Sequence, residues 1–123
     1  MKKAIIAIDQ GTSSSRAVLF DLEFSIIHIE QININTIYPA NGWVEQDANE
    51  IWDKTLLVTK SIITYAEEKQ IKIISIGITN QRETIIAWNQ ITGEPLYNAI
   101  IWQDRRTKDI CDDLFKNGLT KTI

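Results

Sequence analysis

The octapeptide Asp9-Gln10-Gly11-Thr12-Ser13-Ser14-Ser15-Arg16 interrupts two apolar runs, residues 4–8 and 17–20. Both runs are bounded by turn formers and are shorter than the roughly ten residues a helix needs, so they read as buried strands. Joined by a short Gly/Ser/Thr segment, they make a β-hairpin. The turn closes its first strand with a carboxylate and then offers a glycine, four hydroxyls and an arginine. Gly11 lets the backbone approach a ligand with no Cβ in the way. Hydroxyls and successive N–H groups can donate to phosphate oxygens, and Asp9 can hold a hydrated Mg²⁺. A P-loop is excluded, because that pattern needs Gly-Lys-[Ser/Thr] entering a helix, whereas this turn lacks lysine and enters a strand. The same composition, taken alone, also suits a plain polar hairpin turn.

With 123 residues, 44% of them hydrophobic, the chain has the size and apolar content of one domain. A net charge of −3 and the lack of a basic stripe exclude a nucleic-acid footprint, so any bound anion is held locally. The single cysteine, Cys111, cannot close an internal disulfide and reads as a small core residue in a reducing compartment. Lys2 and Lys3 precede an apolar stretch that Asp9 ends too soon for a signal peptide, and no run approaches a membrane span. The expectation is a soluble, cytoplasmic protein.

Residues 26–37 form a long β-branched stretch that reads as a third strand. Its alternation changes phase between Ile27/Ile29 and Ile32/Ile34, which predicts a bulge near Glu30 and Gln31. His28, the only histidine, reads as a strand residue rather than a metal ligand. After a loop at 38–43, Asp47 and Glu50 are spaced as a capping box, and a helix is expected to run from there to about Lys69. Ala48, Ile51, Trp52, Leu56, Ile62, Ile63 and Ala66 make its apolar stripe. Residues 71–78 return to strand composition and read as buried, leading straight into Thr79-Asn80-Gln81-Arg82-Glu83-Thr84. Residues 85–88 and 95–102 read as two further strands around a turn at 89–94, marked by Thr92-Gly93. A last helix is expected from about 104 or 105 to 117, with Ile110, Cys111, Leu114 and Phe115 on one face and Gly118 ending it. The order is βββαβ, then further strands and a C-terminal helix. That is an α/β chain arranged as the first part of an actin-like, ribonuclease-H-like nucleotide-binding unit, because a Rossmann domain alternates from its start.

Arg82 and Glu83 can serve one ligand only if the strand has ended, since strand neighbours face opposite ways. A guanidinium and a carboxylate then supply donors and acceptors that match the hydroxyls of a polyol. An exposed ion pair is the plainer reading of their spacing. Trp102 ends an apolar run, which suits either an aromatic face for a ligand's carbons or core packing. Asp104 reads as a helix N-cap before it reads as a general base. Arg105 and Arg106 read as a solvated basic pair.

Together these segments identify a resemblance. The hairpin turn, Tyr38-Pro39 with Gly42-Trp43-Val44-Glu45, Gly77-Ile78-Thr79-Asn80-Gln81-Arg82-Glu83-Thr84 and Tyr97-Asn98-Ala99-Ile100-Ile101-Trp102-Gln103 resemble, in order and spacing, the FGGY carbohydrate kinases, in particular their glycerol-phosphorylating branch. The resemblance implies that Thr12, Ser13 and Ser14 contact ATP phosphates with Arg16 nearby, and that Asp9 positions Mg²⁺. It implies that Arg82 and Glu83 bind glycerol hydroxyls, with Trp102 against the carbon backbone. The implied reaction transfers the γ-phosphoryl group of ATP to glycerol, giving sn-glycerol 3-phosphate and ADP. Residues 1–123 resemble only the N-terminal part of the first kinase domain. The catalytic-base aspartate, a further glycerol-binding tyrosine and the adenine-binding second domain are expected beyond Ile123, so the 123 residues alone are expected to be inactive. Two other readings stay open: a non-catalytic fragment that self-associates or pairs with the remainder of a kinase, and a kinase of another small polyol.

Overall fold

The computed structural model describes residues 1–119. The two apolar runs form strands β1 (Lys3–Gln10) and β2 (Ser14–Asp21), an antiparallel hairpin in which Asp9 lies opposite Arg16. Strand β3 (Ile26–Asn33) pairs antiparallel with β2. A two-residue strand β4 (Glu45–Gln46) precedes helix α1 (Ala48–Glu68), which crosses to strand β5 (Lys72–Thr79). Such a crossover permits parallel pairing, and β5 lies parallel to β1 in a sheet ordered β3-β2-β1-β5. A second small sheet pairs β4 with β6 (Ala99–Ile100), and helix α2 (Lys108–Lys116) closes the described chain.

Period-two alternation decides which side chains form the core. Ala4, Ile6 and Ile8 of β1 and Ala17 and Leu19 of β2 point to one face, where Val58, Ile62 and Ala66 of α1 cover them. Asp47 caps the helix by accepting from the Asn49 N–H at 2.8 Å. Glu50 does not complete a capping box; its carboxylate accepts the Asn35 N–H and pairs with Lys54. The buried stripe of α1 runs through Ala48, Ile51, Val58, Ile62 and Ala66. Thr55 continues that face, its hydroxyl 2.8 Å from the buried Ser15 hydroxyl.

Several expectations are corrected. Trp52 lies one position, about 100° of helix turn, beyond Ile51, and is 65% exposed rather than part of the stripe. The irregularity in β3 falls at Ile27, opposite Leu19 and Phe20, not at Glu30 and Gln31. His28 thereby faces α1, stacked on Tyr65 at 3.9 Å, while Ile29 is exposed. Strand β5 is not buried: it is the sheet edge among the described residues, and Ile74, Ile76 and Ile78 are exposed. Residues 85–88 and 95–102 do not make two regular strands; they meet through isolated bridges, Ile85 with Ile100 and Trp88 with Pro95, besides β6. The turn between them is as expected, with Gly93 at φ +76°. Helix α2 starts at Lys108, later than expected, and ends at Lys116, with Gly118 (φ +72°) just past its cap, but it buries none of its residues, and Cys111 is exposed. Among the described residues no helix is long and apolar enough to cross a membrane.

The core assignment has a direct consequence for stability. Leu19→Ala empties a fully buried site and is expected to cost about 2–5 kcal/mol. Trp52→Ala, on the exposed flank, is expected to stay within about 0.5 kcal/mol. Urea unfolding of the two variants checks both; a Trp52 loss as large as that of Leu19 would place the tryptophan in the core after all.

Candidate functional site

The parallel register pairs Asp9 at the end of β1 with Thr79 at the end of β5. The two carboxyl ends therefore release their loops side by side, the place where open sheets with helical crossovers collect ligands. Asp9, Gly11, Thr12, Thr79, Asn80, Gln81, Arg82, Glu83 and Trp102 line a cleft of about 570 Å³ there.

On one wall stands the hairpin turn. Gly11 N–H donates to the Ser14 carbonyl at 2.9 Å, and a Cβ on Gly11 would lie 3.2 Å from that same oxygen. A side chain here would press on the turn, which would have to give by a few tenths of an ångström. Asp9 Oδ2 accepts from the Arg16 guanidinium at 2.8 Å, and both side chains are about half exposed. Asp9 also lines the cleft, and its Oδ1 makes no hydrogen bond among the described residues. One carboxylate on an open cleft suits Mg²⁺, which keeps most of its water and is usually held by one or two carboxylates plus phosphate oxygens. Thr12 lines the cleft, whereas Ser13, Ser14 and Arg16 flank it. The Ser14 hydroxyl accepts the Gln31 amide at 2.8 Å, leaving its own proton free to donate.

The other wall is the segment after β5. The strand ends at Thr79, and Arg82 and Glu83 lie in a turn, both exposed to the cleft. This meets the condition under which the two neighbours can serve one ligand. Glu83 has φ +59°, the left-handed region that a non-glycine residue enters at a cost of about 1–2 kcal/mol. Phe24 and Gln70 adopt the same region in turns elsewhere, and Glu83 is the one of the three that lines the cleft. Trp102 is not packed in the core. Its indole N–H donates to the Thr12 hydroxyl at 2.8 Å, so the aromatic ring and the hairpin turn touch directly.

Trp102 is carried on a loop fixed by a charged cluster that the sequence did not disclose. Glu45 is fully buried and accepts from Tyr97 (2.9 Å), Asn98 (3.0 Å) and Arg106 (2.6 Å). Arg106 also pairs with Asp104 at 2.7 Å and lies 4.0 Å above the Trp43 ring. Asp104 accepts the Val44 N–H at 2.7 Å. It is thus neither the cap of α2, whose N-cap is Thr107, nor a free base, and Arg106 is not solvated, although Arg105 is exposed. The Arg106 hydrogen bonds outweigh burial and hold the Asp104 carboxyl at about 2. Burial pushes Glu45 up, but the hydrogen bonds from Asn98, Arg106 and Tyr97 leave it lowered. Two further buried residues, Gln46 and Gln81, join the walls at their base. Their one sequence signal was position: both sit among polar residues at strand ends.

Because the folded chain binds the Asp104 proton less readily than the unfolded one, this pairing stabilises fully above about pH 4 and is lost as pH falls toward about 2. The urea midpoint is accordingly expected to decline across that window, and Asp104→Asn to flatten the decline while lowering the plateau at neutral pH. An unchanged decline in the variant would remove Asp104 as its source.

Comparison with known proteins agrees with this geometry. Residues 4–123 match the family described as the FGGY family of carbohydrate kinases, N-terminal domain. The chain is 55% identical to a glycerol kinase of Clostridium perfringens, over its whole length and 25% of that protein. It is 49% identical to one of Petrotoga mobilis with the same coverage. Among solved structures, Plasmodium falciparum glycerol kinase with ADP superposes with a TM-score of 0.85 at 37% identity, over 92% of this chain and 23% of that one. The ligand-bound xylulose kinase of Lactobacillus acidophilus gives 0.86 at 26% identity, over 98% and 24%. The chain spans about a quarter of the length of the relatives it matches. With residues 4–123 matched and the actin-like fold shared with these neighbours, this chain belongs to the FGGY family of carbohydrate kinases.

Proposed function

We propose that the chain is the phosphate- and polyol-gripping part of an ATP-dependent glycerol kinase, which transfers the γ-phosphoryl group of ATP to a terminal glycerol hydroxyl and yields sn-glycerol 3-phosphate and ADP. The observation that carries this reading is the single cleft shared by Asp9 and Thr12 on one wall and Arg82, Glu83 and Trp102 on the other. Thr12, Ser13 and Ser14 donate to the ATP phosphates, with Arg16 beside them. Asp9 holds Mg²⁺, which supplies charge neutralisation on the phosphates when bound. Arg82 donates to glycerol hydroxyls, Glu83 accepts from them, and Trp102 covers the carbon backbone. A site built around such hydroxyls discriminates strongly against analogues that lack one. In phosphoryl transfer the protein chiefly positions groups and stabilises charge, and these residues do both.

Glycerol is favoured over a sugar by the contrast in identity, about half of all positions with glycerol kinases against 26% with a xylulose kinase. Asp104 is not the carboxylate that takes the hydroxyl proton, because it is committed to Arg106 and does not line the cleft. Ile74, Ile76 and Ile78 of β5, and Ile110 and Phe115 of α2, are exposed apolar side chains that the rest of a longer kinase would cover. In its absence the open edge favours self-association.

Joining the chain to the remaining three quarters of the Clostridium perfringens relative tests the proposal. The joined protein is expected to phosphorylate glycerol with ATP and to be monodisperse at the β5 edge. The 123 residues alone are expected to show no such activity and to grow in size with concentration in light scattering. Arg82→Ala in the joined protein is expected to raise the glycerol KM by tenfold or more. A joined protein that prefers xylulose or gluconate to glycerol would contradict the assignment.

A further inference from the structure

Gln46 is fully buried and Gln81 is 6% exposed, and a buried amide is costly unless its hydrogen bonds are made. Here all are made. Gln81 Nε2 donates to the Gly11 carbonyl at 3.3 Å and to Gln46 Oε1 at 3.1 Å. Gln46 Nε2 donates to the Thr12 carbonyl at 2.6 Å and to the Thr36 hydroxyl at 3.3 Å. The Thr84 hydroxyl donates to Gln81 Oε1 at 2.6 Å, and the Gln81 N–H donates to Gln10 Oε1 at 3.4 Å. The donors and acceptors close only with both amides in these orientations, which fixes each one.

Two consecutive peptide planes of the phosphate turn are set by these bonds. In a planar trans peptide the N–H points opposite to the C=O. The Gly11 carbonyl accepts from Gln10 Nε2 at 2.8 Å as well as from Gln81, and Gln10 is itself held by the Gln81 N–H. Drawing that carbonyl toward the two glutamines turns the Thr12 N–H the other way, and drawing the Thr12 carbonyl toward Gln46 does the same for the Ser13 N–H. Neither N–H donates to another described residue. Gln81 also immediately precedes Arg82 and Glu83, and Thr84 locks it from the far side of that pair. We propose that Gln81, backed by Gln46, is the positioning residue of this site: it presents the Thr12 and Ser13 N–H groups to an anion and ties the phosphate turn to the polyol segment, so that occupation of one favours occupation of the other. This rests on the reading of the cleft given above.

The test uses the ¹⁵N-labelled 123-residue chain with Gln81→Met, which keeps the volume and removes the bonds, and with the pair Thr84→Val and Thr84→Ser. In the ligand-free wild type, the Thr12 and Ser13 amides are expected to have order parameters near the rigid value of about 0.85, falling below about 0.6 in Gln81→Met. Exchange protection of β1 and α1 should stay unchanged. With magnesium tripolyphosphate and glycerol as probes, glycerol is expected to tighten tripolyphosphate binding about fivefold or more in the wild type and not at all in Gln81→Met. Thr84→Ser should keep the coupling and Thr84→Val should lose it. If Gln81→Met does not fold, the Thr84 pair decides. Turn amides as rigid in the variants as in the wild type, or a coupling that survives in Thr84→Val, would overturn the proposal. A wild-type chain that binds neither probe would overturn the reading of the cleft, while the order parameters would still judge the role of Gln81.

Discussion

The hydrogen-bonded ladder between β1 and β5 brings Asp9 and Thr79, far apart in sequence, to neighbouring places at one end of the sheet. Both loops that build the cleft start from that point. The hairpin turn leaves β1 and the Arg82–Glu83 segment leaves β5, so their separation is set by strand spacing, about 4.8 Å, before any side chain is considered. The ladder depends in turn on α1. Its buried stripe covers the face that shows Ala4, Ile6, Ile8, Ala17 and Leu19, and its length lets β5 return parallel to β1. Core packing thus fixes the site, and the site residues themselves contribute little to the core.

A second, polar framework mounts the third component of the cleft. Glu45, Asp104 and Arg106 satisfy one another within a partly buried cluster whose remaining bonds come from Tyr97, Asn98 and backbone. A buried charge of this kind is tolerated because it is paired and fully bonded. Its effect is geometric: the loop after β6 is held against β4, and Trp102 is delivered to Thr12. The two frameworks meet at Gln46, which lies beside Glu45 in β4 and reaches the turn through the Thr12 carbonyl.

Features that depend on local physics were legible in the sequence. The hairpin followed from two short apolar runs around a polar turn, the helix start from Asp47, and the later turns from Gly93 and Gly118, each of which has the positive φ that glycine accepts most easily. Arg82, Glu83 and Trp102 stand at or shortly after the ends of apolar runs, and the structure places all three on the cleft. Features that depend on what packs against what were not legible. Five isoleucines in 71–78 read as a buried strand, yet β5 is uncovered beyond Ile73, because burial is set by neighbours rather than by hydropathy. The same holds for Trp52, Cys111 and the apolar side of α2. Gln46 and Gln81 were missed for the converse reason: a buried amide and a surface amide look alike in sequence, and only the closing of their hydrogen bonds tells them apart.

Glu83 joins a left-handed backbone and a cleft-lining carboxylate in one residue. Its left-handed backbone opposes folding, and its carboxylate faces the cleft. If the strain is maintained for ligand binding, glycine should relieve it and abolish the function together. The most direct measurement compares Glu83→Gly with the wild-type chain in urea unfolding and in glycerol binding. The account predicts equal or greater stability, by up to about 1 kcal/mol, with glycerol binding weakened at least about tenfold. A variant that is less stable than the wild type yet binds glycerol as tightly would contradict it.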